Sequence, residues 1–230
     1  MVNIEGSTVV VTGGQRGLGK AIVDELLERG AAKVYATARD PRPSADPRVV
    51  SVALDVTRKD SIAALAAAAP DAGIVVNNAG TFGATKLLTA DIEDVRAVFE
   101  TNYFGAVQVA QAFAPVLARN GGGALVDIHS VLSWVGGSGG YGDSKAALWS
   151  ATGSLRLELE PQGTLVTGVH LGYTDTDMTA DVAAPKNDPR AVAADILDGV
   201  QRGDTEVLAD DVTRHFKAAL SGPVEGLQLR

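Results

Sequence analysis

The chain has 230 residues, 46% hydrophobic and 21% charged, a globular balance that excludes a disordered or fibrous protein and suits one large α/β domain. Twenty Lys and Arg against 28 Asp and Glu give a net charge of −8, which argues against general binding of nucleic acid or anionic membranes. Without cysteine there are no disulfides, thiol nucleophiles or thiolate metal sites, and without a signal-like start or a long apolar run a soluble, cytoplasmic protein is expected.

In chain order, Thr8–Val11 reads as a short strand, followed by Leu18, Ile22 and Leu26 at helical spacing up to Gly30. Lys33–Thr37 and Val49–Leu54 read as strands, Ser61–Ala69 as an alanine-rich helix ended by Pro70, and Ile74–Val76 as a strand. A helical stretch over Asp91–Ala118 precedes the strand Ala124–Ile128, and a helix over Lys145–Glu160 precedes the strand Leu165–His170. Glu206–Leu208 is the last strand-like run. Gly121–Gly123 and Gly136–Gly140 are turn clusters, and Asp177–Pro189 reads as a mobile excursion.

Strands alternating with helices predict a single domain over residues 1–230. Its fold is a Rossmann-type doubly wound parallel sheet of about seven strands with helices on both faces. Several strand runs are apolar at consecutive positions, as expected where both faces are covered. Ligands of such sheets bind at the carboxyl ends of the strands.

The first of those ends carries T-G-G-Q-R-G-L-G, Thr12 to Gly19, opening directly into a helix. Gly13, Gly17 and Gly19 permit a tight turn and close backbone approach, and free helix-start amides can hold a pyrophosphate, so a dinucleotide site is expected. Twenty residues beyond Gly19 stands Arg39, with Arg16 inside the loop itself. These guanidinium groups suit a 2′-phosphate and predict NADPH over NADH, although the neighbouring Asp40 would suit an unphosphorylated ribose.

Tyr141 and Lys145, in Y-G-D-S-K, are four apart and so share a helix face. A nearby ammonium lowers a phenol toward physiological pKa, which fits general acid/base work on a carbonyl or alcohol. Asn77-Asn78-Ala79-Gly80, Asn102 in T-N-Y-F-G and Ser130 stand in order between the glycine loop and this pair. As an ordered set these motifs resemble the classical short-chain dehydrogenase/reductase family, from Val9 to about Met178.

The resemblance implies catalytic roles for four residues. Tyr141 would be the acid/base, Lys145 its pKa-lowering partner and ribose ligand, Ser130 a hydrogen-bond donor to the substrate oxygen, and Asn102 the holder of a relay water. It implies cofactor contacts from Gly13, Gln15, Arg16, Gly17, Leu18 and Gly19 in the first turn. Further contacts would come from Arg39, Asp55 and Val56, then Asn77, Ala79 and Gly80, and finally Gly172, Thr174 and Thr176. Ser130 and Tyr141 are only eleven residues apart, a shorter connection than the family's, in which Ser133 and Ser138 are rival hydroxyls. Gly142 and Asp143 fall at the expected helix start, and Leu171-Gly172 replaces the family's Pro-Gly.

Leu132, Trp134, Tyr173 and Met178 flank the catalytic groups and are expected to line a substrate pocket with Ser130 and Tyr141, closed by residues 177–189. The implied activity is NADPH-dependent reduction of a hydrophobic ketone or aldehyde, or the reverse oxidation. The alternatives are a non-catalytic NADPH-binding redox sensor and a reductase of carrier-bound acyl ketones. His129 and His170 read as core or pocket-wall residues, and no metal is expected. Ala106, Ala110, Ala114 and Ala118 form a small-residue stripe that suits close packing on the sheet or a subunit contact. The resemblance favours a homo-oligomer, a dimer or tetramer.

Overall fold

In a computed structural model describing residues 2–228, the β-branched runs form one parallel sheet of seven strands. The first half contains β1 (Thr8–Val11), α1 (Gly17–Glu28), β2 (Lys33–Ala38), β3 (Val49–Ala53), α2 (Lys59–Ala68), β4 (Ile74–Asn77) and α3 (Ile92–Phe99). The second contains α4 (Gly105–Arg119), β5 (Ala124–Ile128), α5 (Gly139–Leu159), β6 (Leu165–His170), α6 (Pro189–Arg202), β7 (Glu206–Leu208) and α7 (Asp211–Ala219). The strand order is β3-β2-β1-β4-β5-β6-β7, so the winding direction reverses between β1 and β4. Val9 pairs with Ile74 and Val11 with Val76, which sets the glycine loop after β1 beside the residues after β4.

Alternating strand residues feed two cores. Val9 and Val11 pack with Ile22 and Leu26 of α1 and Ile196 and Leu197 of α6 on one face. Val10 points the other way, to Leu65 of α2 and Phe113 and Leu117 of α4. This double burial is why the strands read as continuous apolar runs. Ala106 and Ala110 of the small-residue stripe are buried and Ala118 is exposed, so the stripe runs from close packing out to the surface.

Two helix expectations are corrected. The stretch expected as one helix over 91–118 is interrupted by a π-helical segment, Glu100–Phe104, between α3 and α4. The helix expected from Lys145 begins at Gly139, which puts Tyr141 in the first turn of α5. Among the described residues, no helix is long and apolar enough to cross a membrane.

Candidate active site

The glycine loop is locked to its neighbours by backbone and hydroxyl contacts. Gly14 N donates to Thr37 O at 2.9 Å, and Gly13 N donates to Thr37 Oγ1 at 3.2 Å. A Cβ on Gly19 would lie 2.2 Å from Gly13 O and 2.5 Å from Asn78 Nδ2, so only glycine lets the loop close on α1. Gly17 has a φ of +52°, a left-handed conformation that suits glycine. Helix α1 has no side-chain cap and no acid in its first turn, so its leading amides lack an anionic partner. An uncapped helix start beneath a closed glycine turn fits the pyrophosphate of a dinucleotide. Leu18 is half-buried on this first turn and packs against the core behind it.

Several expected cofactor residues have other work for their side chains. Asn77 points into the interior, donating to Asp127 Oδ1 at 2.9 Å and Ala106 O at 3.1 Å. The sequence reading missed its neighbour: Asn78 Nδ2 donates to Thr12 O at 2.9 Å and braces the glycine loop. Thr12 Oγ1 receives the Asn78 and Ala79 amides at 3.0 and 2.9 Å. Gln15 both donates to Arg42 O and accepts from Arg42 N, at 2.9 and 2.8 Å. It is thus a clasp that brings a third arginine to the loop. Val56 is buried against Gly105, where a Cβ would come within 2.9 Å, so its side chain is packing.

Arg16 and Arg39 are exposed. Asp55 accepts from the Thr57 amide and hydroxyl at 3.0 and 2.7 Å. These bonds, with the nearby Arg39 and Arg58 charges, hold its carboxyl below the ordinary carboxylate range despite partial burial. Glu206, Arg156 and Lys217 lie elsewhere, around a surface cavity of about 250 Å³ also lined by His129 and His170.

The catalytic candidates gather where β5 ends and α5 begins. Lys145 Nζ is buried and donates to Ile128 O at 2.7 Å; burial pushes the ammonium down to about 8, against the pull of Asp127. Burial also pushes the half-buried Tyr141 hydroxyl up to about 12, with the Ser130 hydroxyl pulling it back and Tyr173 adding to the rise. The expectation of a lowered phenol is therefore corrected: desolvation outweighs the Ser130 hydroxyl, and Lys145 is not among the groups that shift Tyr141. Asp143 is exposed and is not among the groups shifting Tyr141. Of the rival hydroxyls, Ser130 is the one coupled to the phenol; Ser133 Oγ is buried without a partner. Ser130 Oγ accepts from Leu132 N at 3.1 Å, which orients the oxygen at the start of a short 3₁₀ turn.

Asn102 lies in the π-helical segment and is buried. Its Oδ1 accepts from Thr81 N at 2.8 Å, and its Nδ2 donates to Thr81 O and Ser144 Oγ at 2.9 and 3.0 Å. The side chain is therefore a clamp between the post-β4 segment and α5, with both amide protons engaged. Gly80 lies beside it, where a Cβ would sit 3.3 Å from Asn102 Oδ1 and 3.8 Å from Lys145 Nζ.

The loop after β6 arches over the glycine turn, with Thr176 Cγ2 only 3.3 Å from where a Gly17 Cβ would be. The N–H of Gly172, one of the expected cofactor contacts, donates to Asp210 Oδ2 at 2.6 Å. Thr174 is buried and bridges to Asn187, whose side chain also reaches Asp210 Oδ2 at 2.6 Å. The segment expected to be a mobile excursion is thus tied down at Asn187 and by the Thr176–Thr179 capping box. Asp210, absent from the sequence reading, is the common anchor and also caps α7.

Tyr173 is half-buried near Tyr141, Met178 is exposed and Leu132 is buried. Trp134 is buried in the cluster against which Tyr141 packs, and its ring stacks on His170 with centroids 3.9 Å apart. The sequence reading missed Phe82, which lies 4.9 Å from the Tyr141 ring and is 44% exposed, an apolar lip at the phenol.

A sequence model described as short chain dehydrogenase matches residues 7–187. A 3-oxoacyl-acyl-carrier-protein reductase of Vibrio cholerae is 32% identical over 190 residues, covering 77% of this chain and 78% of its own. A Burkholderia cenocepacia short chain dehydrogenase solved in complex with NADP superposes with a TM-score of 0.93 at 36% identity, over 98% of this chain and 97% of its own. A short-chain dehydrogenase from Sphingobium yanoikuyae in complex with NADPH gives 0.83 at 25% identity, over 96% and 94%.

Proposed function

The chain belongs to the short chain dehydrogenase family, and on that premise we propose that it reduces an apolar ketone or aldehyde with NADPH. The observation that carries this reading is the cluster at the start of α5: a half-buried phenol, Tyr141, coupled to the Ser130 hydroxyl, with Lys145 one turn deeper on the same helix. The uncapped start of α1 and the arginines at 16, 39 and 42 would hold the diphosphate and 2′-phosphate. The chemistry supplied by bound NADPH is hydride donation to the carbonyl carbon.

The chain's own residues handle the oxygen. Ser130 Oγ accepts from Leu132 N, leaving its proton to donate to the substrate carbonyl. Tyr141, held protonated by burial, is in the form needed to give that oxygen a proton. Lys145 spends one N–H on Ile128 O and keeps two donors for ribose hydroxyls. Phe82, Tyr173 and Met178 give the mouth an apolar rim that suits a hydrophobic substrate.

The kinship with the Vibrio reductase favours a second reading, in which the ketone is a 3-oxoacyl thioester. Both readings are tested by following NADPH absorbance with free aliphatic and aromatic ketones, aldehydes and an acetoacetyl thioester, with Tyr141→Phe as control. Faster turnover of apolar free carbonyls supports the first reading, and a marked preference for the thioester supports the second. Tyr141→Phe is expected to bind NADPH normally and to lose about 10²–10⁴-fold in turnover. NADPH binding with no carbonyl turned over would favour the sensor alternative.

A further inference from the structure

Beneath α5, four polar side chains that the proposed reaction does not use are almost wholly buried: Asp127, His129, Thr152 and His170. They form a series. Asp127 Oδ2 lies 2.7 Å from Thr152 Oγ1, which lies 2.9 Å from His129 Nε2. His129 Nδ1 lies 3.2 Å from His170 Nε2, and His170 Nδ1 lies 3.2 Å from the backbone oxygen of Ser130. Room for this is built in, because a Cβ on Gly168 would fall 2.7 Å from His129 Cε1.

The series can be resolved by counting protons. The Ser130 carbonyl can only accept, so His170 Nδ1 must carry a hydrogen. A neutral His170 then accepts at Nε2, His129 donates from Nδ1 and accepts at Nε2, and Thr152 donates to it. Leu148 O, 2.8 Å from the same hydroxyl, competes for its one proton; with that proton on His129, Thr152 Oγ1 is left to accept and Asp127 Oδ2 carries a proton. An ionised Asp127 reverses the chain and either sets the His170 Nδ1 lone pair against the Ser130 oxygen or demands a buried imidazolium. The surroundings oppose that cation. Lys145 and Arg156 face His129 and Asp127, and Lys145 and Lys217 face His170. Glu206 Oε1 stands 3.9 Å from His170 Nε2 but is already bound to Lys217 Nζ at 2.6 Å.

We propose that Asp127, Thr152, His129 and His170 are a positioning relay, with Asp127 protonated and every donor pointing toward the Ser130 carbonyl. It fixes the turn that carries the Ser130 hydroxyl. Burial shifts all three titratable members toward their neutral forms, for Asp127 against Asn77, Thr152, Lys145 and Arg156, which favour its carboxylate. The consequence for catalysis rests on the reductase reading above; the proton arrangement does not.

Long-range ¹H–¹⁵N spectra of the histidine-labelled full chain at neutral pH, in a His215→Asn background that removes the exposed third histidine, read the tautomers directly. Both buried rings are expected as Nδ1–H, the minor form of free imidazole in water, and both are expected to stay so in Asp127→Asn, whose amide N–H replaces the acid O–H. An Nε2–H ring, an imidazolium, or a tautomer switch in Asp127→Asn would overturn the arrangement.

The kinetic arm uses His170→Phe, which keeps a ring against Trp134 but loses the donor to Ser130, with His170→Gln as the substitute if the first variant does not fold. Loss of that bond is expected to lower kcat about tenfold at unchanged cofactor KM. An unchanged kcat would refute the positioning role. Asp127→Asn is expected to leave the pH midpoints of kcat in place, because an amide and a protonated acid carry the same charge. A shift in those midpoints would show that Asp127 is ionised. If no carbonyl is turned over, the reductase reading fails while the spectra still decide the relay.

Discussion

Adjacent residues can differ completely in what they touch, as Asn77 and Asn78 do. One points into the interior to Asp127, the other braces the glycine loop at Thr12, because successive side chains at a strand end face opposite ways. The sequence reading chose Asn77 by motif position, and no local signal distinguishes the two. Arg39 poses the opposite problem, since its charge was legible while its company was not. Gln15 brings Arg42 to the same loop, giving three candidate partners for a 2′-phosphate. Arg39→Asp is expected to lower the NADPH-over-NADH ratio of kcat/KM roughly ten- to a hundredfold, the loss of a charge-assisted contact of about 1.5–3 kcal/mol. An unchanged ratio would assign the phosphate to Arg16 or Arg42.

At the scale of elements, the short connection between Ser130 and Tyr141 works because glycines line its closest approaches. A Cβ on Gly142 would lie 2.1 Å from Ser138 Oγ and 2.8 Å from Leu132 O, so the first turn of α5 presses directly on the connection. Gly139, at a φ of +51°, lies where a Cβ would come within 2.5 Å of Ala84 O, and Gly140 N donates to that oxygen at 2.9 Å. The segment before α3 thereby supports the turn that holds Tyr141. Gly142→Ala is expected to cost about 1–3 kcal/mol in urea unfolding, the penalty of overpacking, and to lower turnover by displacing Tyr141. Adding Ser138→Ala should restore part of both losses. Wild-type stability in the single variant would mean that the contact relaxes freely. From sequence, Gly142 looked only like an odd helix start; its cause is a neighbour reached by the chain's return.

Across the whole molecule, the parallel sheet buries titratable groups at its strand ends, and that makes stability depend on pH. Burial lowers His170 from 6.5 to about 3 and His129 well below 6.5. In that window the unfolded chain binds protons that the folded chain refuses, so stability falls as pH drops from about 6.5 toward 3. Asp127 acts in the opposite sense, its raised pKa costing stability as pH rises above 3.8. His170→Phe removes one of the two histidine contributions. Its denaturation midpoint should therefore fall less between pH 7 and pH 5 than that of the unmodified chain. An equal fall would mean that His170 titrates normally in the fold.

The sequence by itself determined the strands, their parallel pairing in a doubly wound sheet and the line of motifs along their carboxyl ends, while their order across the sheet came from the fold. These depend on apolar periodicity and turn chemistry, which neighbouring residues carry between them. It also held the set of Ser130, Tyr141 and Lys145, because spacing within one helix and position after one strand are local facts. Only the tertiary structure decided the break between α3 and α4 at Asn102, the two opposed asparagines, the Asp210 anchor and the buried histidine pair. Each depends on groups far apart in the chain, such as His129 against His170 and Gly172 against Asp210. Burial likewise reversed the expected shift of Tyr141, because desolvation depends on everything packed around a group and not on the residue four places away.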